Sequence, residues 1–279
     1  MTAPSSGTPA PGSRASISHA RRQRRTRLWA GTAAVLIVIG AAIGGFVAFS
    51  GGGDSSTAAA KPPPSTVAAG PAVQANLGVS PMRAATTKGN DIPIYNQPDA
   101  SGAPAVTLSR LTSYLAPRTL LAFDQYQDWL HVYLPTRPNN ATAWVRASDV
   151  TLSQPLDYAV RVSLADHKLW VLRNGAVTLT ADTAIGTPEY PTPTGTFYFT
   201  DPVDLHAQPD TAYGVFAYGL SGHSDVLTEF GGGDGQIAIH GTNDPSGIGH
   251  DVSHGCVRVL NDVIEQISKL PLGTPVYIY

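Results

Sequence analysis

His240-Gly-Thr-Asn-Asp-Pro-Ser-Gly-Ile-Gly-His-Asp-Val-Ser-His-Gly-Cys-Val-Arg258 holds the only cysteine of the 279-residue chain. Cys256 follows His254 and Gly255, and His240 lies sixteen positions upstream, directly after the apolar run Gln236-Ile237-Ala238-Ile239. A thiol attacks a carbonyl only as thiolate. With an ordinary pKa of about 8.5 it is mostly protonated at neutral pH, so a nearby imidazole must take the proton. Two histidines are candidates, and the run before His240 reads as a strand that would hold one of them. Glycine beside the cysteine lets backbone approach a substrate, so the amides of Gly255 and Cys256 can face an oxyanion. A zinc site built on His240, His250, His254 and Cys256 lacks the usual paired-ligand spacing. No metal or cofactor is expected.

Ile239-His-Gly-Thr-Asn243 followed by Ser253-His-Gly-Cys-Val-Arg258 resembles the signature of the L,D-transpeptidase, or YkuD-like, catalytic domain. The resemblance implies Cys256 as nucleophile, His240 as base and the Gly241 carbonyl as the group orienting its ring. It also gives His254 and the amides of Gly255 and Cys256 an oxyanion role, and places Ser253 and Arg258 in substrate binding, Arg258 also in holding the site. His250 has no family role. The implied substrate is a peptidoglycan stem peptide, and the implied acyl donors include carbapenem β-lactams. A carboxypeptidase using water as acceptor shares the same acyl-enzyme, and a wall-binding scaffold with little turnover is the non-enzymatic alternative.

Around this stretch the chain reads as mostly β. Its 28 Gly and 23 Pro suit short strands and turns. The catalytic domain is expected over 156–279, opening with a meander, Tyr158 to Leu164, Lys168 to Leu172 and Val177 to Ala184, in which Asn174-Gly175 supplies a hairpin turn. Thr187-Pro-Glu-Tyr-Pro-Thr-Pro-Thr-Gly-Thr-Phe197 is similar to the family's Thr-Pro-rich turn before a strand. Asp204 to Gly235, with one apolar run from Val215 to Leu220, reads as a long Gly-bounded excursion able to cover the site, with His206 and His223 as solvated loop histidines. After Arg258, Asn261 or Asp262 is expected to cap a short helix whose apolar face, Val263, Ile264 and Ile267, packs behind Cys256. Pro275 to Tyr279 forms the last strand.

Upstream, Ile92 to Tyr95, Leu120 to Tyr126, Trp129 to Leu134 and Thr142 to Val145 read as short strands, and Asp128-Trp-Leu-His-Val132 with Ala143-Trp-Val-Arg146 resembles a bacterial SH3-like barrel over 76–152. Trp129 and Trp144 are read as barrel-core residues. Residues 50–75 read as a Gly/Ser/Ala/Pro spacer. All six charged residues of the tail 1–27 are arginines, which leaves 12 basic against 20 acidic side chains after it, a net of −8. That acidic remainder argues against a nucleic-acid partner.

Leu28 to Phe49 is apolar and uncharged for 22 residues, about 33 Å of helix and enough for a bilayer core. The arginines before it predict a cytoplasmic N-terminus, with everything after Phe49 outside, facing the wall. Cleavage after a shorter apolar core near Ala58-Ala59-Ala60 is the alternative. Protease added outside intact cells is expected to digest the chain after Gly51 while the N-terminus stays protected. A soluble cytoplasmic pool would overturn that topology.

Overall fold

The computed structural model describes residues 81–99 and 101–279. Leu28 to Phe49, the tail and the spacer lie outside these residues. Among the described residues no helix is long and apolar enough to cross a membrane.

Seven strands come first: β1 (Arg83–Thr87), β2 (Ile92–Ile94), β3 (Val106–Leu108), β4 (Thr119–Tyr126), β5 (Trp129–Tyr133), β6 (Thr142–Arg146) and β7 (Val150–Leu152). Five of them form one sheet in the order β6-β5-β4-β1-β7, and β2 pairs with β3. β4, β5 and β6 run as an antiparallel meander in which Leu130 and Val132 point into the core and the residues between them outward. The core joins Ile92, Ile94, Leu120, Leu121, Leu130, Val132 and Val145, each at most 2% exposed. Trp129 is buried edge-on to Tyr95, ring centroids 4.9 Å apart. Trp144 instead lies half-buried, stacked on His131 at 4.3 Å, and so is not a core residue.

The second group is β8 (Tyr158–Ser163), β9 (Lys168–Arg173), β10 (Ala176–Asp182), β11 (Ile185–Gly186), β12 (Gly195–Asp204), β13 (Phe216–His223), β14 (Gln236–His240), β15 (Asp251–Ser253), β16 (Val257–Arg258), α1 (Asn261–Ile267) and β17 (Pro275–Ile278). Eight strands form a sheet ordered β10-β9-β8-β17-β12-β13-β14-β16, and β11 pairs in parallel with β15. The β9–β10 turn has Asn174 and Gly175 at φ +49° and +80°, the two left-handed residues that a tight hairpin of matching twist requires. The core under this sheet joins Val160, Val162, Phe199, Leu220, Ile239, Val257 and Val276 with Ile264 and Ile267 of α1.

Two further expectations change. The excursion from Asp204 to Gly235 is divided by its apolar run, which from Phe216 on lies in β13 and pairs back with β12, so only 205–215 and 224–235 remain irregular. α1 starts after Leu260 without a side-chain cap. Asn261 Oδ1 accepts instead from the N–H groups of Thr242 (3.1 Å) and Val215 (3.4 Å), loop amides that compete successfully with those of the helix.

Residues 197–201 of β12 and all of β13 are buried, and the small sheet packs on β12 through Tyr198. Tyr198 of β12 has no exposed surface, packs in the small sheet's core and donates its hydroxyl to Tyr133 O at 3.2 Å. Tyr198→Ala is expected to cost about 3–5 kcal/mol, the range for emptying a buried aromatic site, and to separate the melting of the two sheets in scanning calorimetry. Tyr198→Phe loses only the hydrogen bond and should cost about 0.5–1.5 kcal/mol. Equal costs for the two would mean the ring does not join the cores.

Candidate active site

Strand alternation sorts β14 into two faces. Ile237 and Ile239 point into the core, whereas Ala238 and His240 share the opposite face. β16 lies parallel to β14 with Ile239 beside Val257 and His240 beside Arg258. That register sets Cys256 next to Ala238, on the face that carries His240. The sixteen-residue gap in sequence thus closes across one pair of neighbouring strands.

His240 is 3% exposed, and its Nδ1–H donates to Gly241 O at 2.6 Å. This bond fixes the tautomer and leaves Nε2 bare, able to accept a proton. Tyr213 covers the ring, centroids 4.7 Å apart. Burial pushes the His240 pKa down to about 4; the bond to Gly241 opposes the shift and the Arg258 charge adds to it.

Cys256 is half-buried. Burial pushes its thiol up, while the Ala238 N–H and Arg258 pull it back. Gly255 takes φ +113°, a backbone conformation closed to other residues without strain. Ser253, 1% exposed, staples this turn: its Oγ accepts the Gly255 N–H at 3.1 Å and its hydroxyl donates to Cys256 O at 2.6 Å. The Gly255 amide is therefore already committed within the turn. Arg258 exchanges backbone hydrogen bonds with Ala184 at 2.8 and 2.9 Å, and its Nε is buried without a partner among the described residues.

The structure brings His240, Gly241, Ser253, Gly255, Cys256 and Arg258 together. His254 stands exposed at the rim, its ring between Tyr190 (5.0 Å) and Phe230 (5.4 Å). His250 is exposed and holds the β11–β15 region through its backbone, its carbonyl accepting from Ile185. His206 is exposed against Asp204 and Glu265. His223, expected to be solvated, is instead 5% exposed and its Nε2 donates to Asp234 Oδ2 at 3.0 Å, because β13 carries it into the sheet. Among the described residues no three His, Cys, Asp or Glu side chains gather to hold a metal ion.

Sequence reasoning missed the aromatic surround. The Tyr213 pKa is pushed up to about 12 by burial first and then by Cys256 and Tyr114. Tyr114, on the loop before β4 in the small sheet, has its pKa raised by burial and then by the charges of Asp201, Cys256 and Asp234. Phe230 is the one of these with a signal in the chain, a large apolar residue set against three glycines.

The YkuD family model, an L,D-transpeptidase catalytic domain, matches residues 157–278. That segment begins one residue before β8 and ends with β17, and so takes in the whole eight-stranded sheet and the site. YkuD of Bacillus subtilis (strain 168), named as an L,D-transpeptidase, is 35% identical over 124 residues, 44% of this chain and 66% of its own length. YbiS of Escherichia coli (strain K12), named likewise, is 58% identical over 77 residues, 27% of this chain and 21% of its own. The chain thus spans just under two thirds of the first relative and about a fifth of the second. The crystal structure of an L,D-transpeptidase from Mycobacterium tuberculosis H37Rv overlaps 59% of this chain and 91% of its own at 13% identity, with a TM-score of 0.38. In its matched segment, from β8 to β17, the chain is similar to the L,D-transpeptidase catalytic domain of the YkuD family.

Proposed function

We propose that the chain is a peptidoglycan L,D-transpeptidase, held at the membrane by Leu28 to Phe49 with its SH3-like sheet and catalytic sheet outside. The observation that carries the reading is the pairing of β14 with β16, which sets a tautomer-fixed imidazole and the only thiol on one face. In this reading His240 Nε2 takes the thiol proton as Cys256 Sγ bonds to the carbonyl carbon of the third residue of a tetrapeptide stem. The Cys256 amide is the donor left for the oxyanion, since that of Gly255 is committed to Ser253. Collapse breaks the C–N bond to the terminal D-alanine, whose amine receives the proton from His240. An acceptor amine then attacks the thioester, His240 collects its proton, and the C–S bond breaks to return the thiol.

The two pKa directions decide the resting state. With the thiol raised and the imidazole lowered to about 4, the pair rests as neutral thiol and neutral imidazole, so proton transfer accompanies attack. A base with a lowered pKa is competent above that value and lost below it. Acylation by a carbapenem should therefore run level from about pH 5 to 8, fall as the pH drops through about 4, and climb only above the ordinary thiol range near about 8.5. An inflection near the ordinary imidazole value of about 6.5 would overturn the neutral pair.

Intact-protein mass spectrometry tests the roles. Cys256→Ala should abolish the carbapenem adduct, His240→Ala should slow it by about 10²–10⁴, and His250→Ala should leave it near the wild-type rate. An adduct that survives Cys256→Ala sinks the reading. Product analysis on purified muropeptides separates the acceptors: cross-linked dimers report an amine, tripeptides alone report water and a carboxypeptidase.

A further inference from the structure

Residues 224–235 leave β13 and return to β14 as a flap. Its base closes where the Ser224 N–H donates to Gly235 O at 2.8 Å, and its tip where Phe230 and Gly233 exchange backbone hydrogen bonds at 3.0 Å. The tip stands in open space: a Cβ added at Gly231 or Gly232 would meet no atom within 4 Å. Val226 and Phe230 are 51% and 45% exposed. Apolar burial therefore does little to fix the flap, and polar contacts at its base must do so.

Those contacts come from the other sheet. On the turn between β5 and β6, Arg137 Nη1 donates to Asp234 O at 2.8 Å, and Nη2 donates to Ser224 O at 3.0 Å and Leu227 O at 2.9 Å. One planar guanidinium thus bonds carbonyls on the outgoing and the returning limb and sets their separation, which a rigid fork of donors can do and a flexible ammonium does less well. Two residues on, Asn139 exchanges hydrogen bonds with the His223 backbone (2.7 and 2.9 Å) and donates to Asp225 Oδ1 at 3.0 Å. At the far end of the flap the Phe230 ring lies against His254, two residues before Cys256.

We propose that Arg137 is a positioning residue for acylation of Cys256: from the small sheet it grips both limbs of the 224–235 flap and so holds Phe230 against His254 and the turn that carries the thiol. The inference rests on the acylation reading of Cys256. Misplacement of a reacting group by about 1 Å can cost about a hundredfold in rate, so a flap that shifts at its base should be felt at the thiol.

The test is a mutant cycle on the full chain, read as the maximal rate of carbapenem acylation and the concentration giving half that rate. Arg137→Ala and Phe230→Ala should each lower the maximal rate about tenfold to a hundredfold. If they act through one contact, the double variant should be no slower than the slower single one. Arg137→Lys should recover part of the loss. Wild-type rates in Arg137→Ala, or effects that multiply in the double variant, would overturn the proposal. Should Arg137→Ala fail to fold, Arg137→Lys and Asn139→Ala enter the same cycle with Phe230→Ala. Hydrogen exchange of the flap amides separates this inference from the one beneath it. Faster exchange in Arg137→Ala, with a wild-type chain that never acylates, would leave the clamp standing and sink the Cys256 reading; unchanged exchange would sink the clamp.

Discussion

The site depends on the parallel pairing of β14 with β16. Ile239 and Val257, side by side in that register and both without exposed surface, bury one face, and each such side chain is worth about 1.5–3 kcal/mol. Because side chains alternate along a strand, burying that face commits the other to Ala238, His240 and Cys256. A slip of one residue would turn His240 into the core and Ile239 toward solvent, a double penalty that holds the register. On its other side Arg258 is bridged to Ala184, and α1 follows almost at once, with Ile264 and Ile267 buried beneath the same strands. The chemistry is thus placed by hydrophobic burial that takes no part in it.

The same burial sets the proton equilibria, and it works against nucleophilicity. It raises the Cys256 thiol and lowers His240, each time as the largest cause. The Ala238 N–H and the Arg258 charge favour the thiolate without reversing the direction. Arg258 also opposes protonation of His240, so it disfavours a stored thiolate–imidazolium pair from the imidazolium side while favouring it from the thiolate side. In the proposed reaction, a site built this way would keep its proton until a substrate carbonyl arrives. The hydrogen bond from His240 to Gly241 keeps Nε2 ready to receive it.

What the sequence discloses here is what lies close along the chain. The run before His240, the Asn174-Gly175 turn and the helix after Arg258 are local patterns, and each is present where those patterns point. The helix cap was misplaced because Asn261 answers amides 19 and 46 residues away, and no local rule weighs those against its own helix. His223 was misread for the same reason: the strand pairing of β13, not the glycines after it, decides its burial. Tyr198 and Arg137 could not be singled out at all. Their partners lie in the other sheet, and the hydrogen bonds of Arg137 cross 87 to 97 residues.

The union of the sheets is itself mixed in character. Tyr198 supplies an apolar plug with one satisfied hydroxyl, and Tyr277 meets Met82 through its hydroxyl and sulfur at 3.5 Å. Gly273 lies so close to Ala84 that an added Cβ would stand 2.7 Å from its methyl. Beyond these the contact turns polar, through Asn140, which accepts the Thr196 N–H at 2.7 Å, and then Asn139 and Arg137. Stable docking therefore rests on a small buried centre, and the polar edge falls where the large sheet's least buried loop begins. A relative shift of the sheets would thus be resisted at Tyr198 and felt first at the edge of the thiol site, where the hydrogen bonds are directional and the loop has little burial of its own to oppose the strain.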